Sequence, residues 1–270
     1  MVTSSLLTKD NLMIKIVSAN LNGIRSASRK GFFTWMNQGQ PDIVCIQETK
    51  AQTHQLEDEI FHPQGYSAYF SDAEKKGYSG VAIYTRHAPD QVIHSLDFPL
   101  ADSEGRFIQA DFGKLSVVSV YFPSGTSGEE RQQLKYTFMD FYEKQLREHQ
   151  GSDRQWIICG DINIAHTQKD IKNWRGNQKN SGFLPEERAW LDTLFDDIGI
   201  VDAFRVVNQE EDQYTWWSNR GRAYENNVGW RIDYHLVSPS LKSKIKKAEI
   251  YKAEKFSDHA PLIIDYGIEL

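Results

Sequence analysis

The chain has 270 residues, enough for a large core, and its mixture of apolar and polar segments without a linker favours one domain over two. A formal net charge of −6 excludes a protein that coats nucleic acid through overall positive charge, but it leaves room for a local basic face. No stretch reaches membrane-spanning length, and the first 13 residues lack the basic start, apolar run and small-residue cleavage pattern of a secretory signal.

Residues 1–13 read as a flexible N-terminal extension and residues 14–270 as a single domain. Strand-like runs rich in Val, Ile, Tyr and Phe fall at 13–20, 42–48, 66–71, 80–85, 106–112, 115–122, 155–160, 231–238, 245–251 and 261–266. Many are apolar at successive positions, which predicts sheets covered on both faces. Helices are expected over 30–38, 53–61, 128–149 and 185–198. The third carries Leu134, Phe138, Phe141, Tyr142 and Leu146 on one face, and Ser127 with Glu130 has the spacing of a capping box. The fourth opens on Pro185 and turns Trp190, Leu191, Leu194, Phe195 and Ile198 inward. Strands outnumber helices and come in consecutive groups, so the pattern suits an α+β sandwich better than a doubly wound parallel sheet. Cys45 and Cys159 both sit in apolar runs and read as buried free thiols, which points to a cytoplasmic setting.

Three polar clusters interrupt these runs at strand ends: Gln47-Glu48-Thr49-Lys50, Gly160-Asp161-Ile162-Asn163 and Ser257-Asp258-His259. Each alone is an ordinary turn. Together with Asn20 and Asn22 after the first strand, they form an oxygen-rich set with one imidazole, suited to Mg²⁺, or alternatively Mn²⁺, rather than structural zinc. Asp233 is placed by the strand pattern to partner His259, while the other histidines show no metal spacing. Between 169 and 180, Lys169, Lys172, Arg175 and Lys179 oppose only Asp170. That charge is either a solvated face or the local basic patch; the enclosing loop of about 20 residues is long for a compact domain, as functional loops are. Arg220, Arg222 and Tyr224 make a second polar-aromatic loop. Ordinary burial preferences place Trp216, Trp217 and Trp230 in the core.

Seven motifs, SANLNGIR at 18–25, PDIVCIQETK at 41–50, YFPSG at 121–125, CGDINIAH at 159–166, NWRGNQKNSGFLPEER at 173–188, NNVGWRIDYHLVS at 226–238 and KFSDHAPL at 255–262, resemble the exodeoxyribonuclease III family, the class II apurinic/apyrimidinic (AP) endonucleases. The resemblance spans residues 14 to 268. It implies a four-layer α/β-sandwich, two packed mixed sheets flanked by helices, with a Mg²⁺-dependent active site at one end. By the same resemblance Glu48 is the principal metal ligand, with Asn22 and Asp258 nearby. Asp161 activates or orients the attacking water and Asn163 helps hold it; His259, oriented by Asp233, stabilises the scissile phosphate; Tyr121 and Asn20 complete the pocket. Asn177 and Asn180 resemble positions that hold DNA phosphates, beside Lys172, Arg175, Lys179, Arg220 and Arg222. Trp216, Trp230 and Ile232 become walls for a base-less sugar.

The implied partner is duplex DNA with abasic sites or damaged 3′ ends. The implied reaction is cleavage 5′ to the abasic site, with 3′→5′ exonuclease and 3′-end cleaning as further activities; a monomer without a membrane partner is expected. Phosphodiester hydrolysis itself calls for a cation, fixed donors and a base aimed at water. For Asp161, either burial raises a weak base or the carboxylate mainly orients water. Two departures stand out. Asn22 replaces an aspartate found in some relatives, which favours one ion over two, and Ser124-Gly125-Thr126-Ser127 lacks the arginine that some relatives place there as a DNA wedge. The rival readings are a superfamily phosphoesterase acting on RNA or phospholipid headgroups, and a catalytically silent DNA-binding module.

Overall fold

The structure, a computed structural model, describes residues 13–270, so the expected N-terminal extension lies, but for Met13, outside the described residues. The strands are β1 (Ile14–Asn20), β2 (Ile43–Gln47), β3 (Ser67–Ser71), β4 (Val81–Thr85), β5 (Gln91–Ile93), β6 (Phe107–Phe112), β7 (Leu115–Tyr121), β8 (Gln155–Asp161), β9 (Val201–Asp202), β10 (Trp216–Trp217), β11 (Gly229–Trp230), β12 (Asp233–Val237), β13 (Ile245–Ile250) and β14 (Leu262–Tyr266). One six-stranded sheet has the order β13-β14-β1-β2-β4-β3 and the other β5-β6-β7-β8-β12-β9, with β10 and β11 paired separately. β1 runs parallel to β2 and β7 parallel to β8, while their other neighbours are antiparallel, so both sheets are mixed.

The doubly apolar runs are explained by burial on both faces. In β2, Ile43 and Cys45 join the core between the sheets with Val117, Ile157 and Cys159, whereas Val44 and Ile46 pack outward beneath Phe32, Phe33 and Met36. The outer face of the second sheet, with Val118 and Ile158, is covered by Phe138, Tyr142, Trp190 and Leu194. Helix, sheet, sheet and helix thus form the four expected layers. Both cysteines are free and buried.

Helix Glu129–Gln150 runs as expected, but it starts on Gly128 at φ 123° and no side chain caps it. The Ser127/Glu130 capping box is therefore corrected: the glycine supplies the positive φ, and Glu129 and Glu130 support the helix end by charge alone. The expected helix at 53–61 is instead two 3₁₀ turns, Thr53–Gln55 and Glu59–Phe61. Gln52 Nε2 donates to Asp72 Oδ2 (2.8 Å) and to the Ala73 carbonyl (2.7 Å), pinning the chain before a longer helix can grow. Pro185–Asp192 is helical and continues as the π-helical turn Thr193–Asp197, and Phe32–Gly39 follows a short helix, Ile24–Arg29, that the periodicity did not show.

Strand register positions the site. Asn20 stands opposite Gln47 at the ends of β1 and β2, Tyr121 opposite Asp161 at the ends of β7 and β8, and Asp233 opposite Asp161 from β12. A Cβ on Gly160 would lie 2.2 Å from the Val120 carbonyl, so glycine is what lets β8 lie this close to β7 just before Asp161.

The long loop is anchored by Asp170, whose carboxylate meets Arg231 Nε at 2.7 Å and Arg205 Nη2 at 2.7 Å, while Arg231 Nη2 meets Asp202 at 2.7 Å. Burial opposes ionisation of Asp170, but Arg231 and then Arg205 overcome it and hold the carboxyl far below its usual range. Asp170→Asn should cost about 3–5 kcal/mol, because it strips a buried arginine of a charged partner. The sign follows from the depressed folded-state pKa: the contribution is complete above the unfolded carboxyl pKa of about 3.9 and is lost as pH falls further. Urea unfolding of both proteins should show a constant stability gap from neutral pH to about pH 4 that narrows below it.

Candidate active site

At the joined strand ends, Asn20 Nδ2 donates to Glu48 Oε1 and to Asp161 Oδ2, each at 2.9 Å. Glu48, Asp161 and His259 each offer a ligand atom, and these atoms all lie within 4.8 Å of one another. His259 Nδ1 is 2.9 Å from Asp233 Oδ2, and its Nε2 is 3.9 Å from Asp161 Oδ2. The Asn163 N–H donates to Asp161 Oδ1 (2.9 Å), and its side-chain amide donates to the Phe122 carbonyl (3.0 Å).

The backbone departs from ordinary geometry at this point. Asn22 (φ 46°), Glu48 (φ 52°), Lys50 (φ 48°) and Asn163 (φ 57°) are all left-handed non-glycine residues. Such conformations cost about 1–3 kcal/mol each and persist only where the surroundings enforce them. Of these, Glu48 and Asn163 line one cleft. Ser257 Oγ donates to the Asn20 carbonyl (2.7 Å) and accepts from the His259 N–H (2.8 Å), which ties the last cluster to the first strand. Thr215 Oγ1 accepts the N–H groups of Ile232 (3.1 Å) and Asp233 (3.2 Å) and sets the entry to β12.

Charge is concentrated in a dry place. Burial first, then Asp233 and Glu48, push Asp161 well above the normal carboxyl range, against the pull of His259. Burial opposes the charge on His259, but Asp233, Asp161 and Asp258 outweigh it and hold the imidazole protonated, with its pKa raised to about 10. Asp258 is held below its usual range: burial works against this, while His259, Asn22 and Trp216 favour the ionised form. Tyr121 is raised far above its usual value by burial and by Glu48 and Asp161, so it stands as a neutral phenol.

This donor set fits a hard cation. Around the floor of the cleft the carboxylates of Glu48, Asp161, Asp233 and Asp258 surround one protonated imidazole, and a second cationic group already stands at Glu48: Lys50 Nζ lies 2.8 Å from Glu48 Oε2 and also donates to Asn22 Oδ1. Of the residues expected at the metal, Glu48 faces the cluster, whereas Asn22 donates to Asp258 Oδ1 (2.9 Å) and the two are engaged with each other. Asp161 and His259 are the nearer companions of Glu48.

The cleft has a volume of about 920 Å³; it is lined by the less exposed Tyr121, Trp216, Trp230 and Ile232 and, along its rim, by Asn177, Lys179, Asn180 and Arg220. Trp216 and Trp230 meet edge to face at 6.0 Å, and Trp216 Nε1 donates to Asp258 Oδ2 (3.1 Å). Both indoles are half-buried, unlike Trp217, which is core. Asn180 Nδ2 donates to Asn177 Oδ1 at 2.8 Å. Three expected DNA residues lie elsewhere. Lys172 pairs with Asp212 (2.9 Å) and lines, with Arg175, a separate hollow, while Arg222 stands near Glu225 (3.5 Å) and is not among the cleft's lining.

Two residues beside the cleft had no assigned role in the sequence. Lys50 was visible as the last residue of the PDIVCIQETK motif. Arg106 had no signal: its fully buried guanidinium lies 4.7 Å from the Tyr121 ring and donates to the Tyr121 carbonyl (2.8 Å), and Glu104 holds it in place (2.6 Å).

The family described as the Endonuclease/Exonuclease/phosphatase family matches residues 17–259. An exodeoxyribonuclease of Bacillus subtilis is 39% identical over 251 residues, covering 92% of this chain and 98% of that one. Among solved structures, an AP endonuclease from Archaeoglobus fulgidus superposes with a TM-score of 0.86 at 28% identity over 94% of this chain and 100% of its own. A 3′ phosphatase from Neisseria bound to a product DNA hairpin gives 0.84 at 25% identity, over 94% and 99%. The chain therefore belongs to the endonuclease/exonuclease/phosphatase family, among the DNA-repair nucleases of exodeoxyribonuclease III and AP endonuclease type.

Proposed function

We propose that this protein is a Mg²⁺-dependent phosphodiesterase that cleaves duplex DNA 5′ to abasic sites, leaving a 3′-hydroxyl and a 5′-deoxyribose phosphate. The observation that carries the reading is the convergence of Glu48, Asp161 and His259 within 4.8 Å at the floor of a cleft walled by Trp216 and Trp230. The same cleft would admit a damaged 3′ terminus, so 3′-end cleaning and 3′→5′ exonuclease action belong to the proposal. Residues 14–270 act as one catalytic domain, and two buried free thiols suit the reducing cytoplasm. Among the described residues no helix is long and apolar enough to cross a membrane.

Glu48, beside Asp161, would hold the ion, which when bound would neutralise charge on the phosphate, while His259, protonated on both ring nitrogens, keeps its Nε2–H for the substrate. Asp161, its carboxylate oriented by the Asn163 N–H and by Asn20, takes the proton of a water aimed at phosphorus. His259, locked by Asp233, and the neutral phenol of Tyr121 donate hydrogen bonds to the phosphate oxygens as charge builds up. Trp216, Trp230 and Ile232 enclose a sugar without a base, which leaves the stack at little cost. Asn177, Lys179, Asn180 and Arg220 hold the flanking backbone.

Glu48→Gln should raise the Mg²⁺ concentration required for half-maximal incision at least about tenfold, since even the outer partners of a metal site are worth that much. A superimposable Mg²⁺ titration would take Glu48 off the ion. Asp161→Asn should lower kcat on an abasic duplex by about 10²–10⁴-fold with little change in Kd, because the group acts on the reacting water. Loss of binding in step with turnover would favour a DNA-binding module instead.

The two ends of the basic loop should behave differently. Lys179→Ala should reduce the log–log salt slope of DNA binding by about one unit, the change expected when one phosphate is no longer neutralised by the protein, whereas Lys172→Ala should leave the slope in place. Fluorescence-anisotropy titrations across a range of salt concentrations measure both, and equal slopes for the two variants would remove the distinction.

A further inference from the structure

Behind the cleft an ammonium and a carboxylate are sealed together. Lys135 Nζ lies 2.5 Å from Glu187 Oε1, and both side chains are 0% exposed. A buried ion pair gains little stability over apolar residues of similar volume, so stability alone does not account for it. What the pair grips is informative. Glu187 Oε2 accepts the N–H groups of Gly182 (2.6 Å) and Leu184 (3.0 Å), while Lys135 Nζ donates to the Asn163 carbonyl (2.8 Å).

One end of this bridge therefore holds the turn whose N–H orients Asp161, and the other holds the loop that carries Asn177, Lys179 and Asn180 along the rim. The two segments also touch directly. Ala165 N–H donates to the Gly182 carbonyl (2.8 Å), and a Cβ on Gly182 would lie 2.8 Å from the Trp230 ring and 3.1 Å from the Asn163 carbonyl. Asn163 and Gly182 are both held at positive φ, 57° and 93°. Neither Lys135 nor Glu187 lines the cleft.

We propose that Lys135 and Glu187 are positioning residues that keep the Asp161–Asn163 turn in register with the DNA-holding loop, an inference that rests on the phosphodiesterase reading above. The pair sets how a backbone held at the rim is presented to the water at Asp161. It acts on alignment rather than on affinity.

The test is the double variant Lys135→Met/Glu187→Gln, which removes both charges yet leaves an acceptor for Gly182 and Leu184. Its melting temperature should stay near that of the native protein and its KM for an abasic duplex should change by no more than a few-fold. Its kcat should fall about 10²-fold, the penalty expected for roughly 1 Å of misalignment. A crystal structure should show Asn163 and Gly182 displaced relative to each other. Native turnover in the folded variant overturns the inference, as does a fall in kcat with the two segments unmoved. If the variant does not fold, Lys135→Gln/Glu187→Gln is judged by the same readouts. A native protein that fails to cleave abasic DNA would sink the functional reading alone, because the crystallographic displacement still decides whether the pair sets the register.

Discussion

One side-chain amide stands where the two sheets meet. Asn20 places its Nδ2 between Glu48 of the first sheet and Asp161 of the second, at 2.9 Å from each. That donor bonds both carboxylates at once and so eases the repulsion that Glu48 adds at buried Asp161. Asn20 is itself held at its carbonyl by Ser257, so the third polar cluster is tied to the same point. The geometry of the site thus depends on a neutral side chain that bonds to both sheets' polar clusters.

The surrounding core sustains that arrangement. The paired parallel ladders β1/β2 and β7/β8 end at the same edge of the sandwich, and apolar packing on three levels fixes their relative height. On this floor four left-handed residues persist, and two of them, Glu48 and Asn163, line the cleft. Electrostatics then follows from geometry: burial raises Asp161, the surrounding carboxylates keep His259 protonated, and the excess of negative charge suits a cation. The acidic whole and the cationic rim do not conflict, because Lys179 and Arg220 act over a few ångströms while the net charge acts at longer range.

The longer strands were legible because apolar runs remain where both faces are buried, and their grouping already favoured a two-sheet sandwich, whereas the short strands β5, β9, β10 and β11 fell outside those runs. Helix Glu129–Gln150 was legible for the same reason, from its apolar face. The turns at Thr53–Gln55 and Glu59–Phe61 were not, since an apolar residue at helical spacing does not reveal that Gln52 and Thr53 are fastened to Asp72. Nor was the split of the basic loop, where Lys179 lines the cleft and Lys172 pairs with Asp212; both lysines look alike in a run of charge.

By itself the sequence determined which residues could do chemistry here: three oxygen-rich clusters at strand ends, one histidine with an acidic neighbour, and motifs distinctive enough to name a family. Local pattern carries this information because residue type and strand position are both local properties. Only the tertiary structure decided which of those groups meet. It set Asp161 and His259 beside Glu48 and left Asn22 with Asp258, slid Arg106 beneath Tyr121, and brought Lys135 to Glu187 across 52 residues of chain. Those contacts follow from sheet register and layer packing, which are set by the whole core at once and leave no trace in any single stretch of sequence.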